Sequence, residues 1–505
     1  MSEVAQLRTG WQEKQAPRFR HINRAQMMWR AVDVEALIGD DHPARAIWEF
    51  TGRLDLKLFY EDVRSVEGHA GQPALDPRLL VSLWLYGYSR GIGSAREIAR
   101  QCEHEPGLQW LCGLEPVNHH SLSDFRVEYA TALEELLTQV LGVLSAEGMI
   151  QLERVMHDGT RIRAAASGNT FRSEGSLEQH LRIAREHVQQ MSAGSGIEAC
   201  ETRRRAAQQR TASERKERLE RALEQMKRLK QEHWKYSQQA PRVSTSDPDA
   251  RMMKRSGGGF EPSYNVQLST DAARGIIVGV EVNQSGADSP HLIKAMEDVQ
   301  QTFGKMPREV VVDGGYATAE NIVALHKRTE LIGPLQVASE ARQLGAQKRA
   351  GISHQFSRDR FTFEPALRGY RCPEGKLLTY YKLNENRPGG KSYVYRAKPA
   401  DCQTCLQKPL CCPKAQVRSL YRLEENPILT KFREAMQTPE RKEIYRQRSQ
   451  VAEFPNAWIK EKLKLRQFHV RGLSKVKAET IWAVLTYNIQ QWIRLCWRTA
   501  VAKTA

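Results

Sequence analysis

The hydrophobic positions of the first 150 residues recur at helical spacing. DPRLLVSLWLYGYSRG begins with Asp76 as a predicted helix N-cap and Pro77 at the first helical position, and an apolar face follows. Another helix is predicted to begin at Ser94 in a capping box, and a third near Ser121. Residues 20 to 150 are therefore predicted to be helical, as either a helix-turn-helix or an ordinary bundle.

After residue 150 the pattern changes to the short apolar runs of β-strands. Strands are predicted at residues 152 to 166, 263 to 270 and 275 to 282, in the run that ends at Asp313 and in ELIGPLQ, with helices in PHLIKAMEDVQQTF and AENIVALHKR. Three antiparallel strands followed by strand–helix alternation predict an α/β fold with a mixed sheet. In that sheet the first strand lies centrally, next to the fourth.

Two segments interrupt the strand–helix pattern. Residues 172 to 244 are highly charged, and their apolar positions have heptad-like spacing, which predicts a helical hairpin or short coiled coil. Its charged faces are either solvated or in contact with DNA. Residues 343 to 425 contain glycine turns and a group of cysteines, which predict a small β-rich insertion.

The chain is accordingly divided into a helical region, an α/β core in three pieces, and two insertions. Residues 1–150 form the helical N-terminal domain, for DNA binding or dimerisation; residues 151–171, 245–342 and 426–505 form the core; residues 172–244 form the helical insertion and residues 343–425 the cysteine-rich insertion.

The charge of the chain narrows the choice of partners. Its formal net charge is +17 and its pI is about 9.5, which favours nucleic acid, although a ribosomal or heparin-type binder would share that charge. The sequence has no run approaching the roughly 18 apolar residues of a membrane span, and its first residues lack an apolar signal core. A cytoplasmic protein without membrane contact is expected.

Two apolar runs end in Asp-Gly, one at Asp158 in ERVMHDGTRI and one at Asp313 in EVVVDGGYAT. Asp-Gly is a favoured hairpin turn, so each aspartate could simply cap a strand. In the predicted sheet, however, the two aspartates are neighbours, and adjacent carboxylates repel unless a cation lies between them. Mg²⁺ suits such oxygen ligands, and a pair of such ions can drive phosphodiester chemistry.

A third carboxylate is expected on a later element, and Glu453 in IYRQRSQVAEFPNAWIKEKLKLRQF is the candidate. If the segment is helical, the flanking side chains lie one to two turns away and can hold phosphates: Tyr445, Arg448 and Lys460. Pro455 predicts a break or a helix start just after the acid. The alternative is a surface helix with salt-paired charges.

The order of these motifs resembles bacterial insertion-sequence transposases of the DDE class. The matching pieces are HDGTRIRA at 157 to 164, YNVQ at 264 to 267, VVVDGGYATAEN at 310 to 321, Tyr445 and Arg448 ahead of Glu453, Lys460 beyond it, and the later RGLSKVKAE and TYNIQ. One departure concerns the related YREK pattern, which has three residues between its Arg and Glu. This chain has four, at 449 to 452, which leaves the role of Arg448 less certain.

The resemblance implies an RNase H-like core in which Asp158, Asp313 and Glu453 bind Mg²⁺ or Mn²⁺. It implies cleavage of double-stranded DNA at the terminal inverted repeats of the element and transfer of the 3′-hydroxyl to target DNA. It also implies at least a homodimer on DNA. The other interpretations are a Mg²⁺-dependent nuclease on the same core, a non-catalytic DNA-binding relic of a transposase, and a basic structural or RNA-binding protein.

Five cysteines lie close together in the sequence, in GYRCPEGKLL and DCQTCLQKPLCCP. Soft thiolates at this spacing suit a tetrahedral structural zinc ion, and the predicted ligands are Cys372, Cys402, Cys405 and Cys411. Cys412 is the spare or the substitute, and reduced thiols without metal are the alternative. The remaining cysteines are interpreted as isolated packing residues: Cys102, Cys112, Cys200 and Cys496.

A basic stretch follows Glu453. It carries Lys460, Lys462, Lys464 and Arg466 against the single acid Glu461. Because it lies beside the predicted carboxylates, it is expected to track the phosphates of DNA, with a solvated charged face as the alternative. The tryptophans beyond it are expected to be core residues: Trp482, Trp492 and Trp497.

Overall fold

The structure is a computed structural model, and it describes most of the chain. The described residues are 31–61, 73–193, 199–233, 240–255, 257–335, 349–385 and 390–500, with the single residues 24, 25, 27, 29, 63 and 65. The predicted boundary between residues 342 and 343 lies outside them, and so does the side chain of Cys200.

The N-terminal region is helical, as predicted. Its helices are α1 (Pro43–Thr51), α2 (Lys57–Tyr60), α3 (Pro77–Ser89), α4 (Ala95–Gln101), α5 (Pro106–Cys112), α6 (His119–Glu128) and α7 (Ala130–Ala146). The predicted caps of α3 and α4 are present, because Asp76 accepts a hydrogen bond from the Arg78 N–H and Ser94 accepts one from the Glu97 N–H. Helix α6 begins earlier than its prediction near Ser121, since Asn118 caps it.

A mixed sheet forms the centre of the molecule. Its strands are β1 (Arg154–Arg163), β4 (Arg251–Lys254), β5 (Phe260–Asp271), β6 (Ile277–Asn283), β7 (Glu309–Val312) and β8 (Glu330–Ile332). The order is β4-β5-β1-β7-β8, with β6 also paired to β5. Strand β1 is antiparallel to β5 and parallel to β7, so the predicted central position of the first strand is confirmed. Strand β4 was absent from the predicted set.

Helices cover both faces of this sheet. They are α10 (Leu292–Phe303), α11 (Ala319–Leu325), α14 (Pro427–Ala435), α15 (Pro439–Arg448), α16 (Phe454–Glu461) and α17 (Leu473–Trp492), with π turns at Ser449–Glu453 and Ile493–Trp497. Helix α17 packs in one hydrophobic cluster with Phe50 and Trp84 of the N-terminal helices. The three late tryptophans are buried as predicted. Within the described residues, no helix has the length and apolarity that crossing a membrane requires.

The charged insertion is a helical hairpin, as predicted. Helices α8 (Glu174–Ala193) and α9 (Ala199–His233) pack together, and a short ribbon of β2 (Phe171–Arg172) and β3 (Val243–Ser244) lies at their base. The heptad-like positions are buried against α8: Leu219, Ala222, Met226 and Leu229.

The cysteine-rich segment is β-rich, also as predicted. It contains β9 (Thr362–Glu364), β10 (Gly369–Arg371), β11 (Leu377–Asn384), β12 (Gly390–Ala397) and β13 (Ser419–Glu425), with short helices α12 (Pro399–Gln403) and α13 (Lys408–Cys411). The strands form a separate antiparallel sheet in the order β13-β12-β11-β10-β9.

A buried carboxylate joins α17 to the N-terminal helices. Glu479 has no exposed surface. It accepts hydrogen bonds from the Tyr88 hydroxyl (3.3 Å) and from the backbone N–H of His469 (3.0 Å), whose ring Nδ1 lies 2.7 Å from the same carboxylate. The buried Arg126 guanidinium lies 3.8 Å away. Because these partners come from α3, α6 and the loop before α17, their pairing fixes how the helical region docks.

Replacement of this acid by Glu479→Gln is expected to loosen that docking. Removing one partner of a buried charge pair typically costs about 3–5 kcal/mol, because the remaining charge is left buried and uncompensated. Urea unfolding followed by tryptophan fluorescence would measure the change. The control Glu461→Gln alters an exposed pair with Arg466 and should leave the unfolding midpoint unchanged. Equal midpoints for both variants would contradict this role for Glu479.

Candidate active site

The parallel pairing of β1 and β7 brings two predicted aspartates to the same level of the sheet. His157 on β1 is paired with Val312 on β7, so Asp158 and Asp313 follow at adjacent positions. Asp158 lies inside β1, opposite Leu268 of β5, which rules out the hairpin-turn alternative for this residue. Asp313 does cap a turn, since its carboxylate accepts a hydrogen bond from the Gly315 N–H at 2.7 Å.

The third predicted carboxylate is carried by a π turn. Helix α15 continues through Ser449–Glu453 into α16 without a break, although Pro455 lies in the first turn of α16. A π turn accommodates one extra residue in a helix, and such turns are frequent at functional sites. It therefore compensates for the four-residue spacing, and Arg448 and Glu453 face the same side.

Arg448 connects two of the three acids. Its Nη2 lies 3.4 Å from Oε1 of Glu453, and its Nη1 lies 3.9 Å from Oδ1 of Asp158. The guanidinium is largely buried and is 6.0 Å from the Tyr445 ring, so all these side chains share one region. Its Nη1 makes no hydrogen bond within the described residues. The guanidinium thus acts as the counter-charge between Asp158 and Glu453.

The carboxylate of Asp158 is energetically costly to ionise. Burial raises its pKa to about 6, and this shift is opposed by the positive charge of Arg448 and increased by the negative charges of Asp313 and Glu453. Asp158 therefore interacts electrostatically with both other acids, which agrees with their placement around one site. A carboxylate of this kind gains from a nearby cation.

Helix α16 supplies two more side chains. Lys460 donates a hydrogen bond to the Thr160 hydroxyl; burial lowers the pKa of its ammonium group, and Asp158 opposes that shift. Asn456 donates to Oδ2 of Asp158 at 3.1 Å. Sequence reasoning missed Asn456, although it lies between Glu453 and Lys460 at helical spacing on the same face.

A buried polar network lies behind the aspartates, and sequence reasoning missed it too. The Gln267 side chain accepts a hydrogen bond from the Tyr316 hydroxyl and donates one to Asp288 at 3.0 Å. The His157 ring is hydrogen-bonded to Gln267 on one side and to Ser269 on the other. Burial lowers the pKa of His157 to about 4, so its ring is neutral at pH 7. The network ties β1, β5 and the loop after Asp313 together.

Gly159 explains why this network can lie so close to the strand. A Cβ at this position would come within 2.9 Å of polar atoms of Gln267, Tyr316 and Asp288. The glycine of HDG therefore permits a close approach rather than a turn. The HDG and YNVQ strings were the sequence signal from which the network could have been found.

The remaining basic residues are not gathered at the acids. Lys462, Lys464 and Arg466 are exposed on the segment that follows α16, and Arg466 pairs with Glu461. The predicted helix thus ends sooner than residue 468. These side chains form an exposed basic edge next to Lys460.

No metal site is preformed in the described part of the chain, where no three His, Cys, Asp or Glu side chains lie close enough to hold an ion. The predicted zinc ligands, Cys372, Cys402, Cys405 and Cys411, nevertheless line one small cavity together with Cys412. The interpretation of Cys102 and Cys112 as isolated was wrong, because their buried thiols interact with each other. Cys496 contacts the Met149 sulfur at 3.6 Å.

Residues 371–493 match the family model described as Transposase DDE domain, and residues 32–128 match the model described as Transposase domain (DUF772). The matches support a transposase function. A DDE domain implies an enzyme that processes nucleic acid. No curated protein and no solved structure matched the chain.

The two matches cover different parts of the chain. The match to the DDE domain model contains Glu453, the α16 side chains and the cysteine group. The match to the DUF772 model contains helices α1 to α6. Asp158 and Asp313 lie outside both. Their assignment to the site therefore depends on the β1–β7 register and on the electrostatics of Asp158.

Deletion of Gln450 is expected to convert the π turn into regular α-helix. The exposed Gln450 would be removed while α15 and α16 keep their faces, so the midpoint of urea unfolding should stay close to that of the parent chain. Deletion of Gln447 is the matched control, because it leaves the π turn and the Arg448–Glu453 spacing intact but rotates the buried Ile444 away from Met156 and Val311, which should lower the midpoint. Equal midpoints in the two deletions would contradict this account of the π turn.

Asp158→Asn is expected to stabilise the fold at high pH. The raised pKa means that the folded state binds this proton more tightly than the unfolded chain, so ionisation lowers the free energy of unfolding as the pH rises from about 4 to about 6. The shift from 3.8 to about 6 corresponds to at most about 3 kcal/mol. Urea unfolding should show the gain at pH 8 and none at pH 4. The exposed Asp298→Asn should show no such pH dependence.

Proposed function

We propose that the protein is a DDE transposase that cuts DNA at the ends of its insertion sequence and joins the freed 3′-hydroxyl to target DNA. The observation that carries the proposal is that Asp158 and Asp313 follow at adjacent positions of paired strands and that Arg448 contacts both Asp158 and Glu453. The register of β1 and β7 supports the first pair, and the bridging Arg448 supports the link to Glu453.

The donor set fits a hard divalent cation. Asp158, Asp313 and Glu453 would hold Mg²⁺ or Mn²⁺, which when bound activates the attacking oxygen and stabilises the leaving oxygen of a phosphodiester. The buried, repelled carboxylate of Asp158 supports this fit, since a cation relieves the cost of its ionisation. Arg448 lies between two of the acids, so it must move aside for an ion to bind there.

The side chains around the acids are suited to DNA phosphates. Once displaced, the Arg448 guanidinium can bind a phosphate in bidentate fashion beside Tyr445. Lys460 lies on the same side, near Asp158. The exposed edge beyond it extends the positive surface along a backbone: Lys462, Lys464 and Arg466. In this arrangement the protein positions the scissile phosphate and stabilises its developing charge.

The topology supports an RNase H-like core. Antiparallel strands β6, β5 and β1, continued by parallel β7 and β8, give the mixed sheet that the sequence resemblance implied. The helical N-terminal region and α8–α9 hairpin provide surface for recognising terminal repeats. Because two DNA ends must be held together for joining, we further propose that the active form on DNA is at least a homodimer.

A cleavage-and-joining assay tests the function. The substrate is a plasmid that carries the DNA flanking the gene, incubated with purified protein with and without Mg²⁺. Wild-type protein should yield nicks at the element ends and joined products only with Mg²⁺. Asp313→Asn should reduce both by at least about a thousandfold, because the charge that holds the cation is lost. Asp298→Asn, an exposed acid on α10, is the matched control and should retain activity.

Each other outcome has a defined meaning. Cleavage without joining would favour the Mg²⁺-dependent nuclease on the same core. DNA binding without any cleavage, unchanged by Asp313→Asn, would favour the non-catalytic relic. Equal loss of activity in Asp298→Asn would show that the assay reports folding and would remove the support for Asp313.

A further inference from the structure

The cysteine-rich sheet contains a cavity that all five clustered thiols line. Cys372, Cys402, Cys405, Cys411 and Cys412 surround a volume of about 30 Å³. A space of this size holds one water molecule or one ion. The thiols come from the turn after β10, from helix α12 and the turn after it, and from the end of α13, so the cavity lies where three separate loops meet.

A tight turn holds the Cys372 side chain in place. The Cys372 carbonyl accepts from the Gly375 N–H at 2.8 Å, and its N–H donates to the Lys376 carbonyl at 2.8 Å. The Lys376 N–H in turn donates to the Cys372 sulfur at 3.3 Å. These three hydrogen bonds fix the position of the sulfur at the cavity. Left-handed Gly375 (φ 77°) permits this tight turn.

The second pair of thiols is held by short helical turns. The Cys405 N–H donates to the Cys402 carbonyl, and the Cys405 carbonyl then accepts from Lys408 at 3.1 Å, which leads directly into α13. The C-x2-C spacing thus sits in a compact turn that directs both side chains toward the cavity. This is the ligand spacing of structural zinc sites.

Of the two adjacent cysteines, Cys411 is the one built into the core of the sheet. It belongs to the buried cluster against which Cys372 and Cys402 pack, and Cys412 is not a member of that cluster. The Cys411 carbonyl also accepts a hydrogen bond from the Arg418 guanidinium at 3.5 Å. Cys411 is therefore the better placed of the two to act as a ligand.

The small core of this sheet shows why a cross-link is useful. The buried cluster between the strands and loops is limited to a few side chains: Phe356, Phe361, Tyr370, Leu378, Tyr395, Ala397, Cys411 and Leu420. A unit with so little buried apolar surface commonly depends on a metal or a disulfide for stability. No disulfide is present among the described cysteines.

We infer that this cavity is a structural zinc site with Cys372, Cys402, Cys405 and Cys411 as ligands and Cys412 outside the coordination shell. The sulfur atoms line one cavity, and a zinc ion bound there would draw the four ligands together. The ion would fasten the β10 turn to α12 and α13, away from the carboxylates of the proposed active site.

The metal content of the full-length protein tests the inference. Protein purified from zinc-supplemented cells is analysed by inductively coupled plasma mass spectrometry and should contain about one zinc ion per chain. Cys402→Ser and Cys411→Ser should reduce that content at least about tenfold. Cys412→Ser and Cys496→Ser are the matched controls and should retain it. This readout is independent of DNA cleavage, so it stands even if the transposase proposal fails.

A second measurement guards against variants that fail to fold. Wild-type protein treated with a chelator is titrated with Co²⁺, and the intense thiolate-to-cobalt absorption of a tetrahedral site should appear and then disappear on addition of Zn²⁺. Absence of metal and of this absorption would overturn the site. Iron in place of zinc would overturn the choice of metal. Loss of zinc in Cys412→Ser with retention in Cys411→Ser would overturn the ligand assignment.

Discussion

The parallel pairing of β1 with β7 is the constraint on which the candidate site depends. It sets Asp158 beside Asp313 across a sequence separation of more than 150 residues. Since side chains alternate along a strand, a slip of one residue would replace Asp158 by the buried, neutral His157. The antiparallel partner β5 prevents such a slip, because its Gln267 and Ser269 bind His157 in one register.

The same register makes ionisation of Asp158 unfavourable, and neighbouring side chains compensate for part of this effect. Ionised Asp158 is buried close to two other acids, and Arg448 compensates for part of that cost. The Arg448 guanidinium partly neutralises the carboxylates of Asp158 and Glu453, and hydrogen bonds from Asn456 and the Gly159 N–H hold the Asp158 carboxylate in place. The negative charge of Asp158, which would destabilise an ordinary hydrophobic core, is thus retained at the candidate site.

The sequence was sufficient for the features that local pattern determines. Apolar runs ending at Asp158 and Asp313 predicted the central strand and its neighbour, and heptad spacing predicted the α8–α9 hairpin. Contacts between distant residues were not accessible: Asn456 on Asp158, Glu479 beneath Tyr88, and the thiols of Cys102 and Cys112 depend on how helices dock. The π turn was visible only as an extra residue, because spacing alone does not say whether a helix breaks or widens. The domain boundaries stay predictions.

The burial of Phe50 and Trp84 against α17 has a consequence for synthesis on the ribosome. These helices share their hydrophobic cluster with Trp482 and Trp492, which are synthesised several hundred residues later. Until those residues emerge, the helices keep an apolar face that chaperones can bind and proteases can recognise. A polypeptide that terminates before α17 would therefore leave this face uncovered and be a target for degradation.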